Sequence, residues 1–162
     1  MNRRAASGHT VFELLIVVVV LMLIAGIVIP NTSVGDERKL DTLQLAIQDA
    51  IDHAQSLSYH QGMTYGVRFS VAGQWFAVVD ENGTPIDDPL SHGDYVVRLK
   101  NPDLPSGIYI DSANFGIRPL AAFDGKGVLL QSGEVHIRSG STERWLACDT
   151  ATNLFTDITE YP

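Results

Sequence analysis

Residues 7–30 read SGHTVFELLIVVVVLMLIAGIVIP, an apolar run with one carboxylate, Glu13, near its start. From Leu14 to Ile29 every residue is apolar or small. As an α-helix this stretch spans about 24 Å, slightly less than the ~30 Å hydrocarbon core of a bilayer. Because a backbone in lipid must satisfy its own hydrogen bonds, we expect a helix despite the four consecutive valines. The run therefore predicts a membrane-spanning N-terminal helix.

The position of Glu13 separates the interpretations of this helix. A cleaved secretory signal fits the basic residues Arg3 and Arg4, but no small-x-small cleavage site follows the apolar core. A plain membrane anchor, with the arginines holding the N-terminus in the cytoplasm, fits the charge distribution. Neither interpretation uses Glu13, although acidic residues at the edge of a bilayer are costly and usually functional.

A third interpretation uses all of these features. The segment SG followed by HTVFELL resembles the leader and cleavage site of type IV pilins and type II secretion pseudopilins. The spacing of Gly8, Glu13, the apolar run and Pro30 matches that family, while His9 stands where the family usually has Phe or Met. The resemblance implies that a prepilin peptidase cuts after Gly8 and N-methylates the α-amine of His9.

The same resemblance implies a role for Glu13 in assembly. It implies that Glu13 meets the α-amine of a neighbouring subunit, which would relieve the cost of a buried unpaired carboxylate. Other pseudopilins or pilins would therefore be partners through the N-terminal helix. The alternative is that Glu13 only caps the first helical turn, where a negative charge suits the helix dipole.

A second helix is predicted after the apolar run. The segment NTSVGDERK, residues 31–39, reads as a break or weakening of the helix, with Pro30 as its kink. The helix is expected to end near Gly62. One apolar stripe follows three- and four-residue steps through Leu40, Leu43, Ile47, Ala50, Ile51, Ala54 and Leu57.

Short strands with turn signals follow this helix. Residues 71–73 and Asn82-Gly83 suit tight turns, and Ser132-Gly133 is expected to join two strands of a hairpin. No helical crossover separates the strands, so the sequence predicts an antiparallel sheet or sandwich packed on the helix, an α+β pilin-like fold. The predicted strands, seven or eight in number, are 64–70, 74–80, 94–100, 107–111, 126–131, 134–138, 143–149 and 153–159.

The order of these elements also resembles the minor pseudopilin GspH and the FimT-like group, through VRFS, QWFAVVDENGTPI and the late FDGKGVLL, EVHIR and ERWLAC segments. This resemblance implies a domain organisation. Residues 1–8 would be the leader, 9–35 the membrane-spanning helix, 36–62 the amphipathic helix and 63–162 a β-rich GspH/FimT-like domain. The first helix would cross the inner membrane once, with the β-rich domain in the periplasm.

Composition limits the function further. The net charge is −8, which disfavours general binding to phosphate backbones. Some FimT-like members bind DNA through a basic C-terminal stretch, but the tail CDTATNLFTDITEYP has no Lys or Arg. Arg138 and Arg144 lie nearby, but two arginines are too few to replace such a stretch. Nucleic acid is therefore disfavoured as a partner.

The sequence also lacks the patterns of an active site. It contains no phosphate loop, dinucleotide fingerprint or nucleophile elbow, and its five histidines are scattered. We expect no catalytic residue, no cofactor and no metal site, and we interpret Cys148 as a small buried hydrophobe. The leading hypothesis is a structural minor pseudopilin of a type II secretion pseudopilus. The alternatives are a minor type IV pilin for pilus assembly or DNA uptake, and a membrane-anchored periplasmic enzyme or binding module.

Overall fold

The computed structural model describes residues 15–20, 32–89, 93–152 and 155–158. The chain divides into two compact units, Met1–Thr32 and Ser33–Pro162. In the first unit, residues 15–20 are helical. The predicted residues Gly8, His9, Glu13 and Pro30 lie outside the described residues. Within the described residues, no helix combines the length and hydropathy that crossing a membrane requires.

One long helix and eight strands make up the rest of the described chain. Helix α1 is Thr32–Gln61. Gly62, which has a positive φ of 67°, ends the helix as predicted, and its N–H donates to the carbonyl of Ser58 at 2.9 Å. The strands are β1 (Tyr65–Ser70), β2 (Trp75–Asp80), β3 (Val96–Arg98), β4 (Ile108–Asn114), β5 (Leu120–Phe123), β6 (Gly133–Ser139), β7 (Thr142–Cys148) and β8 (Phe155–Asp157).

The strands form two antiparallel sheets of four strands each. Sheet 1 has the order β3-β2-β1-β5, and sheet 2 has the order β4-β6-β7-β8. The predicted apolar stripe of α1 is confirmed, since Leu40, Leu43, Ile47, Ala50, Ile51 and Ala54 are all buried and Leu57 packs against them. These residues share one core with apolar side chains of both sheets, which confirms the α+β fold of a helix packed on antiparallel sheets.

The sequence predicted a break or weakening of the helix at residues 31–39, and this prediction is wrong for the described residues 32–39. Residues 32–39 are helical, although they include Gly35, a poor helix former. One contact within the helix and two tertiary contacts explain the difference. The Asp36 carboxylate is held by Lys39 one turn later and by Ser139 of sheet 2, and Leu40 is buried in the core.

Two predictions about the strands need correction. Residues 126–131 do not form a strand, but a turn and an isolated bridge between Leu129 and Phe123. Ser132-Gly133 does not join a hairpin, because β6 pairs with β7 through a turn at Gly140 and Ser141. The strand missed by the sequence is β5, which pairs with β1 and closes one edge of sheet 1.

The side chain of Gln74 joins the two sheets. Gln74 follows β1 in the turn 71–74 and has a positive φ of 51°. Its amide pairs with the backbone of Ile110 in β4, because Nε2 donates to the carbonyl at 2.9 Å and Oε1 accepts from the N–H at 3.0 Å. Gln74 thus acts as a peptide unit added to the edge of β4 and fixes sheet 2 to the first hairpin of sheet 1.

Candidate functional site

The described part of the apolar run is one exposed helical surface. The six side chains of residues 15–20, one leucine, one isoleucine and four valines, are between 40% and 57% exposed. A contiguous apolar surface of this kind normally meets lipid or another protein. This segment is the described portion of the surface to which the sequence assigns assembly, although the cleavage and assembly residues themselves lie outside the description.

The two sheets with their connecting loops, which we call the β-rich unit, are attached to α1 at both ends of the helix. Near the start of α1, the Asp36 carboxylate accepts hydrogen bonds from Lys39 Nζ and from the buried Ser139 hydroxyl, each at 3.0 Å. These bonds, to Lys39 first and Ser139 second, hold the pKa of Asp36 below its usual range. Gly140 lies beside them with a positive φ of 58°, which favours glycine, and a Cβ there would force the Asp36 carboxylate to shift.

Arg144 forms the centre of a second contact one turn further along. Its Nη1 donates to Asp41 Oδ1 and to Gln44 Oε1 on the helix, both at 2.7 Å. Its Nε lies 3.1 Å from Asp157 Oδ2 on β8. The Arg144 side chain is only 16% exposed, so one guanidinium connects α1, β7 and β8 in a largely desolvated position.

The last turns of α1 are attached to sheet 1 by neutral groups. The hydroxyl of Ser58, which is fully buried, donates to the carbonyl of Phe123 at 3.4 Å and accepts from the Tyr65 N–H at 3.1 Å. Gln55 Nε2 donates to the carbonyl of Gly127 at 2.8 Å. The backbone of Gly125 packs so closely on the helix end that a Cβ there would lie 2.5 Å from the carbonyl oxygen of Gly62.

On the outer face of sheet 2, charged side chains of opposite sign pair with each other. Arg138 forms a bidentate pair with Asp111, with Nε 2.6 Å from Oδ2 and Nη2 3.2 Å from Oδ1, and it lies 5.5 Å from the ring centroid of Tyr109. The hydrogen bond from Arg138 lowers the pKa of Asp111. The two arginines nearest the acidic tail, Arg138 and Arg144, are therefore both engaged by carboxylates. This pairing weakens the case for phosphate binding beyond what their small number does.

The imidazole of His136 is built into this face. It stacks on Trp145 with ring centroids 4.1 Å apart. Its Nε2 lies 3.3 Å from Glu143 Oε2, yet it is buried and makes no hydrogen bond within the described residues. The separation is short enough for an ion pair, but the alignment does not give a hydrogen bond. The stack on Trp145 gives this partly buried ring a packing role on the face of sheet 2.

Cys148 and Asp80 have the surroundings of structural groups. Cys148 is buried in the core, and burial, with a smaller effect of Asp149, raises the pKa of its thiol to about 11. Asp80 Oδ1 accepts from the N–H groups of Asn82 and Thr84, so this carboxylate closes the predicted Asn82-Gly83 turn. In the part of the chain that the structure describes, no three His, Cys, Asp or Glu side chains come together as a metal site.

Comparison with known proteins agrees with this architecture. The chain is 29% identical over 101 residues to the type II secretion system core protein G of Aeromonas hydrophila, a match that covers 61% of this chain and 68% of that protein. The fold is similar to that of the type IV minor pilin FimU of Pseudomonas aeruginosa, with a TM-score of 0.53. The chain has a pilin-like fold.

The likeness to FimU extends through most of both proteins. It covers 78% of this chain and 92% of FimU, at 13% sequence identity. No family model matches the chain. The pilin-like fold places the β-rich unit on one long helix, and the contacts of Asp36, Arg144 and Ser58 fix that unit to the helix at three points.

Proposed function

We propose that this chain is a structural subunit of a pseudopilus of the type II secretion kind and not an enzyme. The observation that carries the proposal is the sequence similarity to a type II secretion core protein, on a chain with a pilin-like fold. The firm attachment of the β-rich unit along α1 supports it, because a filament subunit must transmit force between its helix and its body. The Gly8, Glu13 and Pro30 pattern also supports it.

In this proposal the chain is inserted in the inner membrane with its β-rich unit in the periplasm. A prepilin peptidase cuts after Gly8 and methylates the new α-amine of His9. Glu13 then pairs with the α-amine of a neighbouring subunit, while the apolar residues after it pack among the helices of other pilin-like subunits. Desolvation makes an unpaired carboxylate costly, so Glu13 favours the assembly register in which an amine meets it.

Mass spectrometry of the full chain tests the processing step. The chain is produced in membranes with and without a prepilin peptidase, and its N-terminal peptide is sequenced. We expect a start at His9 with one methyl group, and a start at Met1 when the peptidase is absent or when Gly8 is replaced by Val. A mature N-terminus beyond Pro30, or an uncut chain in the presence of active peptidase, would contradict the proposal.

Substitution of Glu13 tests the assembly step. Glu13→Gln removes the charge and keeps the shape, so it should reduce incorporation into filaments while leaving cleavage after Gly8 intact. Glu13→Asp keeps the charge and serves as the matched control. A membrane-anchored periplasmic enzyme would instead keep its membrane content and its activity in the Glu13→Gln chain.

A minor type IV pilin is the second candidate, because the solved structure with a similar fold is a minor pilin. The two candidates differ in the machine they belong to, a pseudopilus or a type IV pilus. Copurification with tagged subunits of each machine from the same cells separates them, since the chain should be retained by only one set. Retention by pilus subunits alone would favour this candidate.

A further inference from the structure

The turn that follows β2 is closed by one aspartate. Asp80 Oδ1 accepts hydrogen bonds from the N–H of Asn82 at 3.0 Å and from the N–H of Thr84 at 2.8 Å. The Gly83 N–H donates to the carbonyl of Asp80 at 2.9 Å, and Gly83 has a positive φ of 79°. Every backbone N–H from Asn82 to Thr84 is therefore bound to Asp80.

A second turn, between β5 and β6, has the same hydrogen bonds. Asp124 Oδ1 accepts from the N–H groups of Lys126 and Val128, each at 2.9 Å. The Gly127 N–H donates to the Asp124 carbonyl at 2.8 Å, and Gly127 has a positive φ of 72°. Lys126 stands where the first turn has Asn82, so the backbone contacts of this turn do not require an asparagine.

An asparagine before a glycine has a chemistry that lysine lacks. The backbone nitrogen of Gly83 can attack the side-chain carbon Cγ of Asn82, because glycine has no side chain to hinder the approach. The new N–Cγ bond closes a succinimide ring, the Cγ–Nδ2 bond breaks, and ammonia leaves with the proton of the Gly83 nitrogen. Water then opens the ring to aspartate or, at the backbone carbonyl, to isoaspartate. The net change replaces an amino group with a hydroxyl group, which ionises at neutral pH and adds a negative charge.

The folded turn holds both reacting groups in other contacts. The Gly83 N–H is bound to the Asp80 carbonyl, and the Arg68 guanidinium donates to the Gly83 carbonyl. Hydrogen bonds from the Thr84 N–H first, and also from the Asn82 side chain, hold the pKa of Asp80 below its usual range. Attack requires the Asn82 side chain to leave Asp80 and to align with the Gly83 nitrogen, so the closed turn opposes the reaction.

We propose that Asn82 is a deamidation site whose rate is set by Asp80, and that it reacts when the Asp80 turn opens. Asn82 is exposed, so water reaches it without unfolding of the core. Asp80 is a positioning residue here, since it acts on the reaction through its hydrogen bonds to the turn. The proposal does not depend on the proposed function, because it follows from this one turn.

The product would alter the recess beside the turn. Arg68 and Arg118 line this recess together with Asp80, Asn82 and Gly83. A carboxylate at position 82 stands beside that of Asp80 and replaces the amide that bonded to it. Isoaspartate also lengthens the backbone by a methylene group, which displaces the Gly83 carbonyl from Arg68. The deamidated turn therefore carries more negative charge and holds Arg68 less firmly.

Peptide mapping of the full chain by mass spectrometry tests the proposal. The chain is incubated in detergent micelles at mildly alkaline pH, folded or in urea, and the fraction of residue 82 that has exchanged its amino group for a hydroxyl group is followed. We expect reaction at Asn82 in both states, and faster reaction in urea because the turn is open. Asn101 is an internal control, since the nitrogen of Pro102 carries no proton and cannot attack. Asn114 should react more slowly than Asn82 in urea, because Phe115 hinders the approach.

Substitution of Asp80 makes the test specific. Asp80→Ala removes the acceptor of the Asn82 and Thr84 N–H groups. The reaction in the folded chain should accelerate about 2- to 12-fold, which corresponds to the loss of one hydrogen bond of about 0.5–1.5 kcal/mol. In urea, wild type and Asp80→Ala should react at nearly the same rate. Asp80→Asn keeps an acceptor oxygen and should accelerate the reaction less. Asp124→Ala, which opens the matching turn, is the control and should leave the rate at Asn82 unchanged.

Arg68→Met provides a second variant of the same turn. It releases the Gly83 carbonyl and keeps the apolar stem of the side chain, so it should also accelerate the reaction in the folded chain. Fluorescence of Trp75 in sheet 1 shows whether each variant is folded before incubation. If Asp80→Ala does not fold, Asp80→Asn and Arg68→Met carry the comparison.

Four results would overturn the proposal. They are no reaction at Asn82 in urea, equal wild-type rates in the folded and unfolded chain, no acceleration in any folded variant of Asp80 or Arg68, and an equal acceleration by Asp124→Ala. None of them bears on cleavage after Gly8 or on the effect of Glu13→Gln. Failure of the deamidation proposal is therefore distinguishable from failure of the proposed function.

Discussion

The two ends of helix α1 are attached to the β-rich unit by different chemistry. The first turns meet sheet 2 through charged groups, the Asp36 carboxylate and the Arg144 guanidinium. The last turns meet sheet 1 through neutral groups, with the buried Ser58 hydroxyl between Phe123 and Tyr65. Between these ends lies one continuous core that includes Leu43 and Ile47.

Because of this difference, the two ends of α1 should respond differently to salt and to pH. Charged contacts near the surface weaken with salt and with protonation, whereas buried neutral hydrogen bonds change little with either. The two tryptophans allow the ends to be observed separately, since Trp75 lies in sheet 1 and Trp145 in sheet 2. Chains carrying Trp145→Phe or Trp75→Phe therefore report on one sheet each during urea unfolding in detergent micelles.

Among the substitutions proposed here, Ser58→Ala should lower the free energy of unfolding most, because it breaks the attachment of α1 to sheet 1. It removes the partner of the Tyr65 N–H and the donor to the Phe123 carbonyl, and both groups remain buried. We expect a loss of about 1–3 kcal/mol in the free energy of unfolding, the usual cost of an unsatisfied buried polar group. The midpoint measured by Trp75 fluorescence in urea gives this value.

The neighbouring serine provides the control. Ser56 lies on the same helix but outside the core, so Ser56→Ala should change the free energy of unfolding by no more than about 0.5 kcal/mol. The loss of unfolding free energy caused by Ser58→Ala should be the same in low and high salt. A deficit that disappears in high salt would mean that the neutral description of this end is wrong.

Local sequence patterns predicted the helix stripe because the spacing of Leu40, Leu43 and Ile47 carries the period of a helix. They missed β5, whose residues LAAF show no alternation and little β-propensity. This strand depends on a partner, Gly66 of β1, where a Cβ would lie 2.6 Å from the carbonyl oxygen of Ala121. The close approach of two backbones leaves only a glycine as its signal in the sequence, and glycines also mark bulges, bends and turns.

The contacts that fix the helix to the body were not predictable in the same way. Asp36 meets Ser139, and Asp41 meets Arg144, each across 103 residues of sequence. No local period encodes such a pairing, because it depends on the register of β6 with β7. The sequence did carry the leader, cleavage and assembly pattern of Gly8, His9, Glu13 and Pro30, which remains a prediction.

Arg144→Met should have a moderate effect, confined to the sheet 2 end. Methionine keeps much of the apolar volume and removes the hydrogen bonds to Asp41 and Gln44 and the ion pair with Asp157. Since Asp41 is largely exposed and can be solvated, we expect a loss of about 1 kcal/mol. Fluorescence of Trp145 should report the change.

The response to salt should distinguish the Arg144 contact from the Ser58 contact. Part of the difference between wild type and Arg144→Met should disappear at high ionic strength, because salt weakens the wild-type pairs. Arg38→Met, which replaces an exposed arginine on the same helix, should have little effect. A loss for Arg144→Met that equals the Ser58→Ala loss at every salt concentration would remove the distinction between the two ends.

The smallest expected effect is a pH dependence carried by Asp36. Its pKa in the folded chain lies below the reference value of 3.8, so the unfolded chain binds more protons in this range. Its stabilising contribution is complete above the unfolded pKa and is lost as the pH falls through the folded pKa. The gap in unfolding free energy between wild type and Asp36→Asn should therefore narrow as the pH is lowered from about 6 to below 3.8.

The gap between wild type and Ser58→Ala should stay constant over the same range, because no titrating group takes part in that contact. Asp111→Asn gives a second reference, since Asp111 also has a lowered pKa but pairs with Arg138 within sheet 2 and not with α1. The difference in unfolding free energy from wild type could narrow in acid for Asp111→Asn but not for Asp36→Asn. Acid sensitivity would then belong to sheet 2 and not to the attachment of the helix. If the Asp36→Asn gap also narrows, the charged end of α1 is the first attachment to weaken in acid, while the Ser58 end persists.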